Sequence, residues 1–331
     1  MFALLRLKYW QPVALAIALL ACAAAVPLAA QSQPQPHDPL ATGHLIAVGG
    51  AMRDPAILGR FIALAGGPDA PIVVIPTAGA GDQYDSDWVG LRAFRAAGAR
   101  NLRILHTRDR NVANSEAFVA PLRAARGVFI AGGRQTRLAK AYLDTRTHRE
   151  LRAVLERGGV VGGSSAGASI LASFLMRGDT RSNKLPVGQY VRGFGLLPHS
   201  AIDQHVLKRN RQFDLAPIVR AHPELLGIGI DEDTAIVISG DEFEVIGQSY
   251  VIIHDAQYRR HPGGPATQAT SRAPADSSDS HFAIEQPTAP PHFYFLAPGD
   301  RFNLLTRQPL RNGRAFNPLP RNQPAESPAS P

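Results

Sequence analysis

A single cysteine, Cys22, stands in a chain of 331 residues, and it falls within the first thirty. The body therefore has no thiol for a nucleophile, a disulfide or a thiolate metal site, and any catalysis must use other groups. Charge is also sparse at 19%, and only Lys8, Lys140, Lys184 and Lys208 among the 35 basic residues are lysines. The basic excess is arginine spread along the chain. With no five-residue basic run and no interleaved aromatic stripe, nucleic acid is not an expected partner. Apolar residues make up 45%, an ordinary globular mix that excludes a disordered chain, a collagen and a coiled coil. The length suits two domains or one large α/β domain.

Residues 1–30 carry Arg6 and Lys8, an apolar stretch from Pro12 to Leu20, and the small residues Ala29 and Ala30. This predicts a secretory signal peptide cleaved near Ala30, and export to the periplasm or the medium. Leu19-Leu20-Ala21-Cys22 is similar to the box before a lipidated cysteine, although Leu20 is bulky for its place and the apolar run continues past Cys22. A retained anchor is the third reading, because Pro12–Ala30 has 19 residues and a span needs ~20. Pro27 and the alanine-rich content oppose it. Membrane association is expected only with lipidation of Cys22 or retention of the leader. Loss of Arg6 and Lys8 lowers the net charge from +8 to +6, which still favours acidic partners.

Gln31–Thr42 is rich in proline and glutamine and reads as a linker. Strand candidates then follow at His44–Val48, Ile72–Ile75, Leu102–Leu105, Val128–Ala131 and Val160–Gly162. Helical spacing lies between or beside them at Pro55–Ala65, Trp88–Ala97, Ser115–Ala124, Thr136–Leu143 and Thr147–Arg157. This alternation predicts an α/β fold: a doubly wound, mostly parallel sheet with helices on both faces and its site at the strand C-terminal ends. From Gly227 the texture changes. Ile228–Ile230, Ala235–Ser239, Glu242–Ile246 and Tyr250–Ile253 predict an antiparallel extension of that sheet. Pro262–Pro291 reads as an insertion, His292–Leu296 as one more strand, and residues 308–331 as a Pro-rich tail. One domain over residues 43–307 is the expected body.

Gly163-Ser164-Ser165-Ala166-Gly167 fits G-x-S-x-G after a strand, and Ala168–Met176 continues as an apolar stretch of expected helix. Small flanking residues let a strand turn sharply into a helix and expose the serine hydroxyl. N–H groups at the helix start then face a developing oxyanion. A serine needs a base and an acid that orients it. Two assignments fit: Ser165, Asp203 and His254, or Ser165, His205 and Glu232. Chain order alone does not choose between them, and Asp231 and Asp233 flank Glu232.

The chain resembles the cyanophycinases, serine exopeptidases related to dipeptidase E with a class I glutamine-amidotransferase-like fold. Ordered blocks between Gly43 and Asp255 carry the resemblance: Ala47-Val48-Gly49-Gly50, Gly132-Gly133-Arg134-Gln135, Gly163 to Ala168, Asp203-Gln204-His205, and Gly229 to Ala235. The resemblance implies Ser165 as nucleophile, His205 as base and Glu232 as the orienting acid. It implies an oxyanion hole from the N–H groups of Gly133 and Ala166, and no metal or organic cofactor. It further implies a substrate pocket of Gln135, Asp203, Gln204, Arg209 and Arg211. There Asp203 would hold a guanidinium, and the two arginines would clamp a terminal carboxylate.

Two positions depart from the family pattern. Arg134 stands where the family commonly has aspartate, and Asp214 where it has an arginine. The implied substrate is cyanophycin, an aspartate backbone whose side-chain carboxyls carry arginines; the alternative is short aspartyl or isoaspartyl peptides. A non-catalytic surface binding module is the alternative of another class, and a homodimer is compatible with either.

Overall fold

The computed structural model describes Leu40 and residues 42–180, 184–257 and 293–315. The predicted leader, nearly all of the linker and the Pro262–Pro291 insertion lie outside these residues. Short β-branched runs become strands β1 (His44–Val48), β2 (Ile72–Ile75), β3 (Leu102–Ile104), β4 (Gly127–Ile130) and β5 (Val160–Ser164). They run parallel in the order β1-β5-β4-β2-β3. Between them lie α1 (Pro55–Ala65), α2 (Arg92–Ala96), α3 (Arg110–Ala113), α4 (Glu116–Ala124), α5 (Gln135–Tyr142) and α6 (Arg146–Glu156). Side-chain caps fix several helix starts. Asp54 accepts the Ala56 N–H at 2.8 Å ahead of Pro55, and Thr145 accepts that of His148 at 3.4 Å.

The sheet is buried on both faces, as its near-continuous apolar strands require. Along β1, Leu45 and Ala47 join one core, and Ile46 and Val48 join the other. The second core is closed by α1 and α2, where Phe61, Phe94 and Phe129 meet edge to face at 5.2–6.1 Å. The first core lies under α4, α5 and α6.

The expected α/β class is present, with its details altered. After β5 the chain makes only a short helix, α7 (Ala166–Ser169), and then β6 (Ala172–Phe174) in place of the helix expected through Met176. Tertiary bonds override local propensity here: Ile170 accepts the Phe194 N–H at 2.7 Å, and Leu171 that of Leu197 at 3.0 Å. The strand β7 (Leu197–Gln204), α8 (Ala216–Ala221) and β8 (Leu226–Ile230) follow. Next come β9 (Thr234–Ser239), β10 (Glu242–Gly247), β11 (Val251–Asp255), β12 (Phe293–Leu296) and β13 (Arg301–Asn303). The C-terminal strands divide between two sheets instead of extending one. β9 pairs antiparallel with β1 and leads through β10 to β13 in the large sheet. β6, β7 and β8 run parallel and are joined by antiparallel β11 and β12 in a second sheet. The expected helix Trp88–Ala97 is a 3-10 turn, Val89–Leu91, leading into α2, and no capping side chain starts either.

Part of the predicted tail also folds. β14 (Gln308–Arg311) pairs with β13 and carries a last short strand, β15 (Arg314–Ala315). Arg311 Nε and Nη2 donate to both oxygens of Asp300 at 2.6 and 2.7 Å, and Asp300 also accepts the Ala297 N–H at 2.9 Å. Asp300 is 4% exposed, so this fork anchors the end of the sheet. Asp300→Ala is expected to lower stability by roughly 1–2 kcal/mol, the exposed arginine being partly screened. Thermal denaturation checks this, and a midpoint equal to that of the parent would remove the fork's anchoring role.

Candidate active site

The turn after β5 holds Ser165 at φ 55°, ψ −114°, a conformation costly for a residue with a side chain. Two glycines make the turn feasible by close approach. A Cβ on Gly163 would lie 2.1 Å from Gly167 O, and one on Gly167 would lie 2.0 Å from Ile130 O. Ser165 is half-buried and stands at the C-terminal end of the parallel strands, the place expected for a site.

Three consecutive carbonyls at the end of β1 gather the remaining parts. Val48 O accepts the Ser165 N–H at 2.9 Å, Gly49 O that of His205 at 3.0 Å, and Gly50 O that of Asp233 at 2.8 Å. The His205 ring then lies against Gly50, where any Cβ would fall 2.1 Å from its Cε1. Ser165 Oγ is 2.9 Å from His205 Nε2, and His205 Nδ1 is 2.7 Å from Glu232 Oε1. Of the two assignments left open by chain order, only this one brings its residues together. His254 donates from Nε2 to Gln212 O at 2.9 Å and stacks on Phe293, and burial lowers its pKa to about 4. Asp203 lies in a separate ion pair.

The neighbours of Glu232 are already engaged. Asp231 accepts the N–H groups of Leu207 and Lys208 and the Ser249 hydroxyl. Asp233 accepts the N–H groups of Arg53 and Asp54 at 2.7 and 2.8 Å. These two acids shape the turns on either side, which leaves Glu232 facing the imidazole. The pKa of His205 lies below its ordinary value of 6.5. Burial is the main cause, and Arg209 and Arg211 add to it, while the Glu232 hydrogen bond opposes it. The ring is thus neutral near pH 7 and can accept a proton.

Gly132 passes beside the hydroxyl, where a Cβ on it would lie 3.7 Å from Ser165 Oγ, and Gly133 follows it at φ 144° against Ala78. Ala166 opens α7 directly after the serine, so its N–H has no partner within the helix. Buried Gln135 donates from Nε2 to Met176 O at 3.3 Å, and its Oε1 has no hydrogen-bond partner among the described residues. Arg211 Nη1 donates to Gln204 Oε1 at 3.2 Å, while Arg209 is exposed and makes no side-chain hydrogen bond or ion pair among the described residues.

Asp203 is not available in the way the resemblance implies. Its carboxylate takes a fork from Arg177, with Nε at 2.8 Å from Oδ1 and Nη2 at 2.6 Å from Oδ2. Oδ1 also accepts the Gln204 N–H at 2.9 Å. An arginine of the chain therefore occupies the seat expected for a substrate guanidinium. Sequence reasoning missed Arg177, because nothing local sets it apart from the other arginines. The two unusual charges acquire partners within the same region: Asp214 accepts from Arg177 Nη2 at 2.6 Å, and Arg134 Nη1 donates to Thr180 O at 3.0 Å. Among the described residues, no group of three or more His, Cys, Asp or Glu is placed to hold a metal ion.

The profile of peptidase family S51 matches residues 45–246. A cyanophycinase of Geminocystis herdmanii (strain PCC 6308) is 33% identical over 280 residues, covering 80% of this chain and 95% of the relative. A cyanophycinase of Thermosynechococcus vestitus (strain NIES-2133 / IAM M-273 / BP-1) is 34% identical over 282 residues, 80% of each chain. The solved structure of a peptidase from an acI-B1 Actinobacterium superposes with a TM-score of 0.52 at 24% identity, over 64% of this chain and 90% of that one, and shares its fold. Since the family match runs from β1 into β10 and so spans every segment that reaches Ser165, this protein belongs to peptidase family S51, with cyanophycinases among its relatives, and is a serine-type peptidase.

Proposed function

We propose that the protein is an exported serine exopeptidase that hydrolyses cyanophycin to β-aspartyl-arginine dipeptides through an acyl-enzyme. The observation that carries the chemistry is the unbroken hydrogen-bond chain from Ser165 through His205 to Glu232. The cyanophycinase relatives support the substrate.

In this reading His205 Nε2 takes the hydroxyl proton as Ser165 Oγ bonds to the scissile carbonyl carbon. The N–H groups of Ala166 and Gly133 receive the developing oxyanion. The C–N bond then breaks as His205 returns the proton to the leaving nitrogen. Water attacks the resulting ester, its proton passing through His205 back to Ser165 Oγ. Glu232 accepts the Nδ1–H throughout, which fixes the tautomer and offsets the transient imidazolium charge. Arg209 and Arg211 supply positive charge for a terminal carboxylate. One observation favours short aspartyl or isoaspartyl peptides as the second reading: with Arg177 on Asp203, a substrate guanidinium has no vacant carboxylate there.

Because the neutral imidazole is the base, a lowered His205 pKa places the acid limb of kcat/KM below the ordinary 6.5. Glu232→Gln removes an influence that raises that pKa, so the limb should move still lower while kcat falls about 10²–10⁴-fold. A limb that rises in the variant would contradict the roles given to this pair. Insoluble cyanophycin should clear, with release of β-aspartyl-arginine read by mass spectrometry, for the parent and not for Ser165→Ala. Cleavage of aspartyl dipeptides without clearing selects the second reading. Export predicts a mature N-terminus just after Ala30 in the periplasmic or culture fraction; N-terminal sequencing that finds Met1 retained would reject cleavage.

A further inference from the structure

The arms Leu175–Thr180 and Lys184–Arg192 form a paired hairpin. Leu175 N–H donates to Val191 O at 2.9 Å, Arg177 N–H to Pro186 O at 2.8 Å, and Tyr190 N–H to Gly178 O at 3.0 Å. Both sides of the nucleophile reach this hairpin. On one side Arg134 and Gln135, in the turn whose Gly132 passes Ser165, bind Thr180 O and Met176 O. On the other, Asp203 and Asp214 bracket His205 in sequence and bind Arg177.

Arg177 is 1% exposed, lies at φ 57° and carries a full charge. Burial and left-handed backbone are both unfavourable for such a residue, and they persist only when surrounding contacts over-determine them. Those contacts are the Asp203 fork, the Asp214 oxygen and, from Nη1, Lys184 O at 3.0 Å across the hairpin. The legs differ in exposure. Asp203 is 0% exposed and Asp214 31%, so the second leg faces solvent. Beside Met176, Gln135 Oε1 is a buried acceptor without a partner among the described residues, a point at which a ligand N–H would be satisfied.

We propose that this hairpin is the specificity wall of the peptidase site and that Arg177 is the positioning residue that latches it to the end of β7. Arg177 does not touch the reacting atoms. It sets where the wall stands, and by occupying Asp203 it removes that carboxylate from substrate recognition. This rests on Ser165 being the nucleophile assigned above.

The test separates the triad from the wall with two reagents that modify Ser165. A small neutral fluorophosphonate needs only the nucleophile and base, whereas a peptidyl phosphonate ending in aspartate must also be seated. In Arg177→Lys, which keeps the charge but loses the fork, labelling by the small reagent should stay within about twofold of the parent. The peptidyl reagent should lose about tenfold, in its half-saturating concentration and not in its limiting rate. Asp214→Asn keeps the Asp203 fork and should shift the peptidyl reagent in the same direction by less, and it carries the test if the lysine variant fails to fold. Parallel loss with both reagents in Asp214→Asn, or no loss with either, overturns the wall. A parent that is not labelled at Ser165 overturns the proposed function itself, and the wall with it.

Discussion

Everything at this site hangs from the end of one buried strand. Val48, Gly49 and Gly50 present three successive carbonyls, and each holds the segment that delivers one part of the Ser165–His205–Glu232 chain. The strand can do this because it is central: β5 flanks it in parallel and β9 antiparallel, so it has no freedom to shift. Side chains on long loops would lose rotamer freedom to reach a common point. Here backbone hydrogen bonds fix the positions, and the side chains have only short distances to cover.

The parallel half of the fold was legible because its strands are short apolar runs separated by helices, several of them with capping side chains. The serine turn was legible because its glycines are needed for close approach whatever else the site does. The second sheet was not. β7 reads Leu-Pro-His-Ser-Ala-Ile-Asp-Gln, too polar for a recognisable core strand, and it is buried because α7 and β8 pack beside it. The short α7 shows the same limit, since Ala168–Met176 has helix-forming residues but its backbone groups find partners near Phe194 and Leu197. Choosing Glu232 over Asp231 and Asp233 needed the direction of each side chain. Periodicity does not supply that inside a turn, and only the resemblance pointed to it. Pro309 suggested a tail, yet it sits in a strand near the sheet edge, where a missing N–H is tolerated.

Charge explains the remaining departures from expectation. Arg134 and Asp214 looked like isolated reversals when read along the chain. In three dimensions both belong to one region, in which Arg177 bridges two carboxylates and Arg134 holds Thr180 on the same arm of the hairpin. A buried fork of this kind contributes geometry more surely than net stability, because desolvation offsets much of the Coulomb attraction. The arginine side chain is suited to it, having a planar set of donors that keeps its charge.

The close backbone contacts at Gly50, Gly163 and Gly167 bear on how an intact copy of this fold can be told from a spent one. A polar residue of the triad can be exchanged for a neighbour of similar shape while the framework stands. A methyl group at any of the three glycines would overlap the catalytic ring or a carbonyl near 2 Å. The shape of the site is therefore written in residues that carry no chemistry, and a side chain gained at any of them would spoil the site with Ser165, His205 and Glu232 all in place.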